Sequence, residues 1–163
     1  MLEPESPVKD DNRMADLSAA YEETVQAIVA SVSDVMDGEW GDRTWERIVV
    51  NYETLLHTSE ATTSTIAFSI ARPANHPPER VDFRLSDEAE AGLERIKDIL
   101  HDDKGTYWTV CDVTIAPDGR YHFEFGYGDP YRLSGNLHDT RFDGYLARYL
   151  DETQRPSKDA GAS

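Results

Sequence analysis

Catalysis and metal binding need particular side chains at particular spacings, and this chain of 163 residues holds few of them. Its five histidines, His57, His76, His101, His122 and His138, include no pair at i, i+4 and have no cysteine nearby in metal-ligand spacing. No metal and no cofactor is therefore expected. Cys111 is the single cysteine and stands beside Asp112. A reactive thiol needs an electropositive surround or a helix N-terminus. An acidic neighbour inside a strand pattern points instead to a small buried side chain. Asp112 and Glu124 fall on adjacent expected strands, and with His122 they form the one arrangement a hydrolase could use. A nuclease would add a lysine to meet phosphate charge, yet Lys9, Lys97, Lys104 and Lys158 all lie elsewhere. Gly126-Tyr127-Gly128 is too short for a phosphate loop and meets Asp129 and Pro130 rather than opening a helix. No GxSxG motif occurs. No catalytic residue is assigned, and the chain is read as a non-enzyme.

Acids interleaved with aromatics are the more informative pattern. They occur at Asp37, Glu39, Trp40, Asp42 and Trp45, and again at Glu124, Tyr127, Asp129 and Tyr131. In a binder for a basic surface, aromatics anchor and acids steer. The plainer account is that Trp40, Trp45 and Tyr127 close the core and that the acids form a solvated surface. On the binding account the partner-contacting residues are Trp40, Asp42, Glu124, Tyr127, Asp129 and Tyr131.

The elements that must position these residues follow from periodicity. Leu17, Tyr21, Thr24, Ile28, Val32 and Val35 recur at helical spacing, predicting a helix from about Met14 to Asp37 with Gly38 as its cap. Alternation predicts strands over Ile48–Leu56, Ser64–Ile70 and Val81–Leu85. Ser86 caps a second helix with acids in its first turn and Ala89, Leu93, Ile96 and Leu100 as its buried stripe. Trp108–Ile115 and Arg120–Tyr127 form a hairpin around Ala116-Pro117-Asp118-Gly119. A last helix is expected over Asp139–Glu152. The order α-β-β-β-α-β-β-α gives an α+β fold, a mainly antiparallel sheet of about five strands with helices packed on one face. Residues 1–12 and 154–163 read as disordered tails around a single domain over 13–153.

Composition narrows the partners. Thirty-two acids against 16 bases leave a formal charge of −16. Nucleic acid and anionic membranes both call for Lys and Arg, so neither is an expected partner. A basic protein is. Residues 46–80 are close to neutral, with 4 acids and 3 bases, as buried strands require. One cysteine, no secretory pattern at the start and no apolar run long enough to span a bilayer suggest a cytoplasmic protein. A monomer is expected.

This layout resembles the YezG-type immunity proteins (antitoxins) of bacterial polymorphic toxin systems. The resemblance covers roughly residues 15–150. It rests on an N-terminal helix ending in GEW, a second acidic helix, and the stretch YWTVCDVTIAPDGRYHFEFGYGDP from Tyr107 to Pro130. Trp108, Gly119, Tyr121, Phe123, Phe125, Tyr127 and Asp129 occupy the family's Trp-led strand, glycine turn, aromatic strand and acidic tyrosine loop. Trp40 or Trp45 matches the tryptophan after the first helix. The link Arg72–Pro78, the glycine-rich GYGDP and both tails depart from the family pattern. The resemblance implies a small cytoplasmic protein that binds and blocks a toxin domain, often a nuclease, by occlusion. The alternatives are a small hydrolase using Asp112, Glu124 and His122, or a regulatory module that binds a small molecule between sheet and helices.

Overall fold

A computed structural model describes residues 6–57, 60–136 and 138–154. Three helices and five strands follow in the expected order: α1 (Ser6–Ser31), β1 (Thr44–His57), β2 (Glu60–Arg72), β3 (Glu79–Asp82), α2 (Asp87–Lys104), β4 (Val110–Ile115), β5 (Tyr121–Gly126) and α3 (Tyr145–Gln154). The fold is α+β. One sheet, ordered β3-β2-β1-β4-β5, is antiparallel at every pairing. Among the described residues, no helix is long and apolar enough to cross a membrane.

α1 starts earlier than Met14 and ends six residues before Asp37. Its apolar spacing continues through Val32 and Val35, but beyond Ser31 the chain turns and Val35 forms a β-bridge with Phe83. Gly38, at φ +83°, belongs to that irregular link and not to a helix cap. The expected tails fall mainly outside the described residues, although α1 takes in 6–12 and α3 ends on Gln154.

β1 and β2 form a long hairpin pairing Thr44 with Arg72 and His57 with Glu60. A bulge between Trp45 and Arg47 sends both Glu46 and Arg47 toward α3, where Tyr149 Oη donates to Glu46 (2.8 Å) and Arg47 Nη1 donates to Tyr145 Oη (3.2 Å). Beyond the bulge the period of two is strict. Ile48, Val50 and Tyr52 join α1 and α2 in the main core, which also holds Phe83, Leu93, Trp108, Cys111 and Val113. Val49, Phe68 and Ile70 point the other way, against Phe142, Tyr145, Leu146 and Tyr149.

The sheet is thus covered on both faces, by α1 and α2 on one and by α3 with the preceding segment on the other. The expectation of helices on one face alone is corrected. Its signal was present in β2, where Ala67 to Ala71 are buried without a break; a strand exposed on one face alternates.

Ser86 caps α2 as expected, its Oγ accepting from the Ala89 amide at 3.1 Å. Ser31 stitches the two helices together. Its hydroxyl donates to the Ala27 carbonyl (2.9 Å) and accepts from the Ser86 amide (3.1 Å). The β4–β5 turn also forms as read. Gly119 sits at φ +93°, and the Asp118 carboxylate accepts from the Arg120 amide at 3.0 Å. α3 is shorter than expected, because Asp139 and Arg141 serve another purpose and Gly144, at φ +74°, precedes the helix.

Candidate functional site

The segment from Tyr127 to Gly144 is irregular, and buried charge holds it to the sheet. Glu53, near the end of the buried part of β1, has no solvent exposure. A buried carboxylate must be paired and hydrogen-bonded. The Arg132 amide donates to both of its oxygens (2.8 and 3.1 Å) and the Leu133 amide to one (3.0 Å). The Arg132 guanidinium donates to Ser64 Oγ (2.7 Å), Asp139 Oδ2 (2.8 Å) and the carbonyls of Asn51 and Ser64 (3.2 and 2.9 Å). Arg141 meets Asp139 through two bonds (2.9 and 2.6 Å), lies 3.4 Å from Glu53, and sits 4.7 Å above the Tyr131 ring.

None of Glu53, Arg132, Asp139 and Arg141 was singled out from sequence. The available signal was a carboxylate at a buried strand position together with two arginines in a segment without periodicity. The bidentate hydrogen bonding from Arg141, backed by Arg132, holds the Asp139 carboxyl well below the usual carboxylate range despite its burial. A carboxyl with a depressed folded-state pKa contributes stability that is complete above the unfolded value of about 3.9 and is lost as pH falls toward the folded value. Urea unfolding between pH 6 and pH 2 is expected to show stability dropping below about pH 4–5. Asp139→Asn is expected to flatten that slope; an unchanged slope would place the acid sensitivity elsewhere.

The structure separates the six partner-contacting candidates into two groups. Trp40 is partly buried against both the main core and the Val35, Ala71 and Val81 cluster. Its carbonyl accepts from Arg43 Nη1 at 2.9 Å. That is a core-closing position. Asp42 is exposed and accepts weakly from the Ala74 amide at 3.4 Å. Both precede the start of β1 at Thr44, whereas Glu53 and the segment it anchors lie roughly 30 Å further along that strand at ~3.3 Å per residue.

Glu124, Tyr127, Asp129 and Tyr131 gather at the other end, around the exit of β5. Glu124 is 71% exposed, Tyr127 42% exposed, and Asp129 exposed. Tyr131 is half-buried beneath Arg141. Thr109 fixes the loop, its hydroxyl donating to the carbonyls of Gly126 (3.3 Å) and Gly128 (2.5 Å).

α3 covers β1 and β2 but leaves the same face of β4 and β5 open, so His122 and Glu124 project into solvent. Asp112 and Glu124 are register partners on that face. Like charges placed directly opposite destabilise a strand pair. Asn51 relieves one of them, its Nδ2 donating to Asp112 Oδ1 at 2.6 Å. Among the described residues Glu124 pairs with His122 alone, with Nε2 at 3.5 Å.

Other reactive groups are spoken for. Cys111 lies fully in the core, where burial and then Asp112 push its thiol pKa far up. Among the described residues no three His, Cys, Asp or Glu side chains gather to hold a metal ion. A groove of about 470 Å³ runs between α2 and the end of β1, lined in part by Leu56, Lys97 and Tyr107. Its Lys97 is already bound to Glu94 (2.7 Å) and Thr54 (3.4 Å). Compared with known protein families and with curated proteins, the chain matches none.

Proposed function

We propose that this chain is a cytoplasmic immunity protein that neutralises a basic bacterial toxin domain by covering it, without chemistry of its own. The observation that carries the reading is the open face at the exit of β5, where the exposed acids Glu124 and Asp129 flank exposed Tyr127. Three arguments support it. The like-charge pair Asp112 and Glu124 is an unfavourable feature that a cation from a partner would offset. A net charge of −16 raises encounter rates with a basic protein toward 10⁸–10⁹ M⁻¹s⁻¹ at low salt. Toxins that cleave nucleic acid must themselves be basic, and the resemblance of the Tyr107–Pro130 stretch points to this class.

Tyr127 and Tyr131 supply the anchors, and Glu124 and Asp129 the steering. Trp40 and Asp42 lie too far along the sheet to share one small contact patch with them.

The test is co-purification and calorimetry with the basic C-terminal domain encoded by the neighbouring reading frame. Affinity is expected to fall steeply between low and physiological salt. The double change Glu124→Lys and Asp129→Lys is expected to weaken binding on the order of tenfold or more, chiefly through slower association. Both residues are exposed, so the fold should stay intact, and circular dichroism checks that. Binding indifferent to salt and to both substitutions would remove this surface from the reading. The hydrolase alternative makes the opposite forecast: multiple turnover by the isolated chain, abolished by Glu124→Gln.

A further inference from the structure

The sheet ends on one side at β5, with no strand paired beyond it among the described residues. The direction its backbone faces can be worked out. The Arg120 carbonyl accepts from the Ala116 amide and the Gly126 carbonyl from the Thr109 amide, each at 2.9 Å. The even-numbered residues of the strand therefore turn their backbone groups toward β4, in register as Thr114 with His122 and Asp112 with Glu124. Backbone groups alternate along an antiparallel ladder. The amides and carbonyls of Tyr121, Phe123 and Phe125 consequently face the free edge. Such an edge is a template for a further strand.

Charge decides what it can accept. Arg120, the only base of the hairpin, is engaged by Asp118 at 2.7 Å. Exposed Glu124 and Asp129 remain, together with His122. A second copy pairing β5 with β5 would bring these acids together in molecules that each carry −16. The side chains split cleanly by face. Phe123 and Phe125 pack against the main core, while His122 and Glu124 stand on the polar face.

We propose that the basic partner docks by adding an extended segment to the edge of β5. This rests on the reading of the partner as a cationic protein. In the added strand, alternate residues are Lys or Arg and lie beside Glu124 and His122. The intervening residues are apolar and extend the aromatic row of Tyr121, Phe123 and Phe125. Main-chain hydrogen bonds to the three outward-facing residues supply register, and the acids beside the edge disfavour self-pairing.

The probe is a peptide of about eight alternating lysines and valines, a common strand length, added at millimolar concentration and followed by amide exchange in NMR. In the free protein the amides of Tyr121, Phe123 and Phe125 are expected to exchange faster than those of His122 and Glu124. The peptide is expected to slow the odd-numbered set by on the order of tenfold while leaving the even-numbered set unchanged. A glutamate–valine peptide should do nothing, and Glu124→Lys should abolish the response. No protection of the odd amides, or equal protection by the glutamate peptide, overturns strand addition. If the neighbour-encoded domain still binds, the functional reading survives that failure. If the peptide adds as described but the domain does not bind, the functional reading fails alone.

Discussion

Replacing Glu53 with alanine is expected to destabilise the protein by about 3–5 kcal/mol, the range for breaking a buried ion pair from one side. In urea this is a midpoint shift on the order of 1–3 M, large enough to leave a marginal domain unfolded. The reason lies in what is left behind. The amides of Arg132 and Leu133, now donating to Glu53 at 2.8–3.1 Å, would lose their acceptor at a position with no solvent exposure. Arg132, 8% exposed, would keep Asp139 but lose the second carboxylate. Glu53→Gln keeps the volume but presents an NH₂ group to donors, so its cost should approach that of alanine. Glu152 makes the useful contrast. It pairs with Arg47 at 3.3 Å but is 65% exposed, and its replacement by alanine should cost less than about 1 kcal/mol. Equal costs for the two glutamates in denaturant unfolding would show that burial at Glu53 is not what matters.

Gly92→Ala is expected to act with the opposite sign to the usual one. Inside a helix this change normally stabilises by about 0.5–1 kcal/mol, because alanine loses less freedom on folding. Here α1 crosses α2 at this residue. A methyl group would meet Thr24 Oγ1 at 2.2 Å, its Cβ at 3.1 Å and its Cα at 3.3 Å. The hydroxyl could rotate, but the Cα moves only if α1 moves, and Ser31 ties α1 to the start of α2. Overpacking of this kind costs about 1–3 kcal/mol. Thr24 Oγ1 is itself buried without a hydrogen-bond partner. Thr24→Ala should therefore be nearly neutral alone and should recover part of the loss in the double variant. A thermal melt in which Gly92→Ala is more stable than the parent would mean that the helices do not approach this closely.

Local signals were legible in the sequence wherever structure is decided locally. The Ser86 cap, the stripe of α2, the Pro117–Gly119 turn and the alternation of β1 and β5 all depend on residues within a few positions of each other. What escaped was decided at a distance. The end of α1 is set by the bridge from Val35 to Phe83, not by its own periodicity. The burial of both sheet faces depends on α3 returning across β1 and β2. The candidate site divides the same way. Glu124 is exposed on the polar face of its strand, as alternation suggested, and Tyr127 and Asp129 are exposed in the loop after it, whereas Trp40 was drawn toward the core by Val35, Ala71 and Val81. The Glu53 network carries no short-range pattern, because its members come from β1, β2 and an aperiodic segment.

The separation of Glu53 from Arg132 along the chain also matters while the molecule is being made. The two are 79 residues apart, so at ~5–20 residues per second the carboxylate leaves the ribosome about 4–16 s before its partner amides. In that interval Val49, Phe68 and Ile70 lie uncovered on the same face of the nascent hairpin. A negative charge among them keeps that surface hydrated and discourages it from sticking to other unfinished chains. The residue that fastens the finished fold thus stands where a gatekeeper charge would be placed to protect the unfinished one.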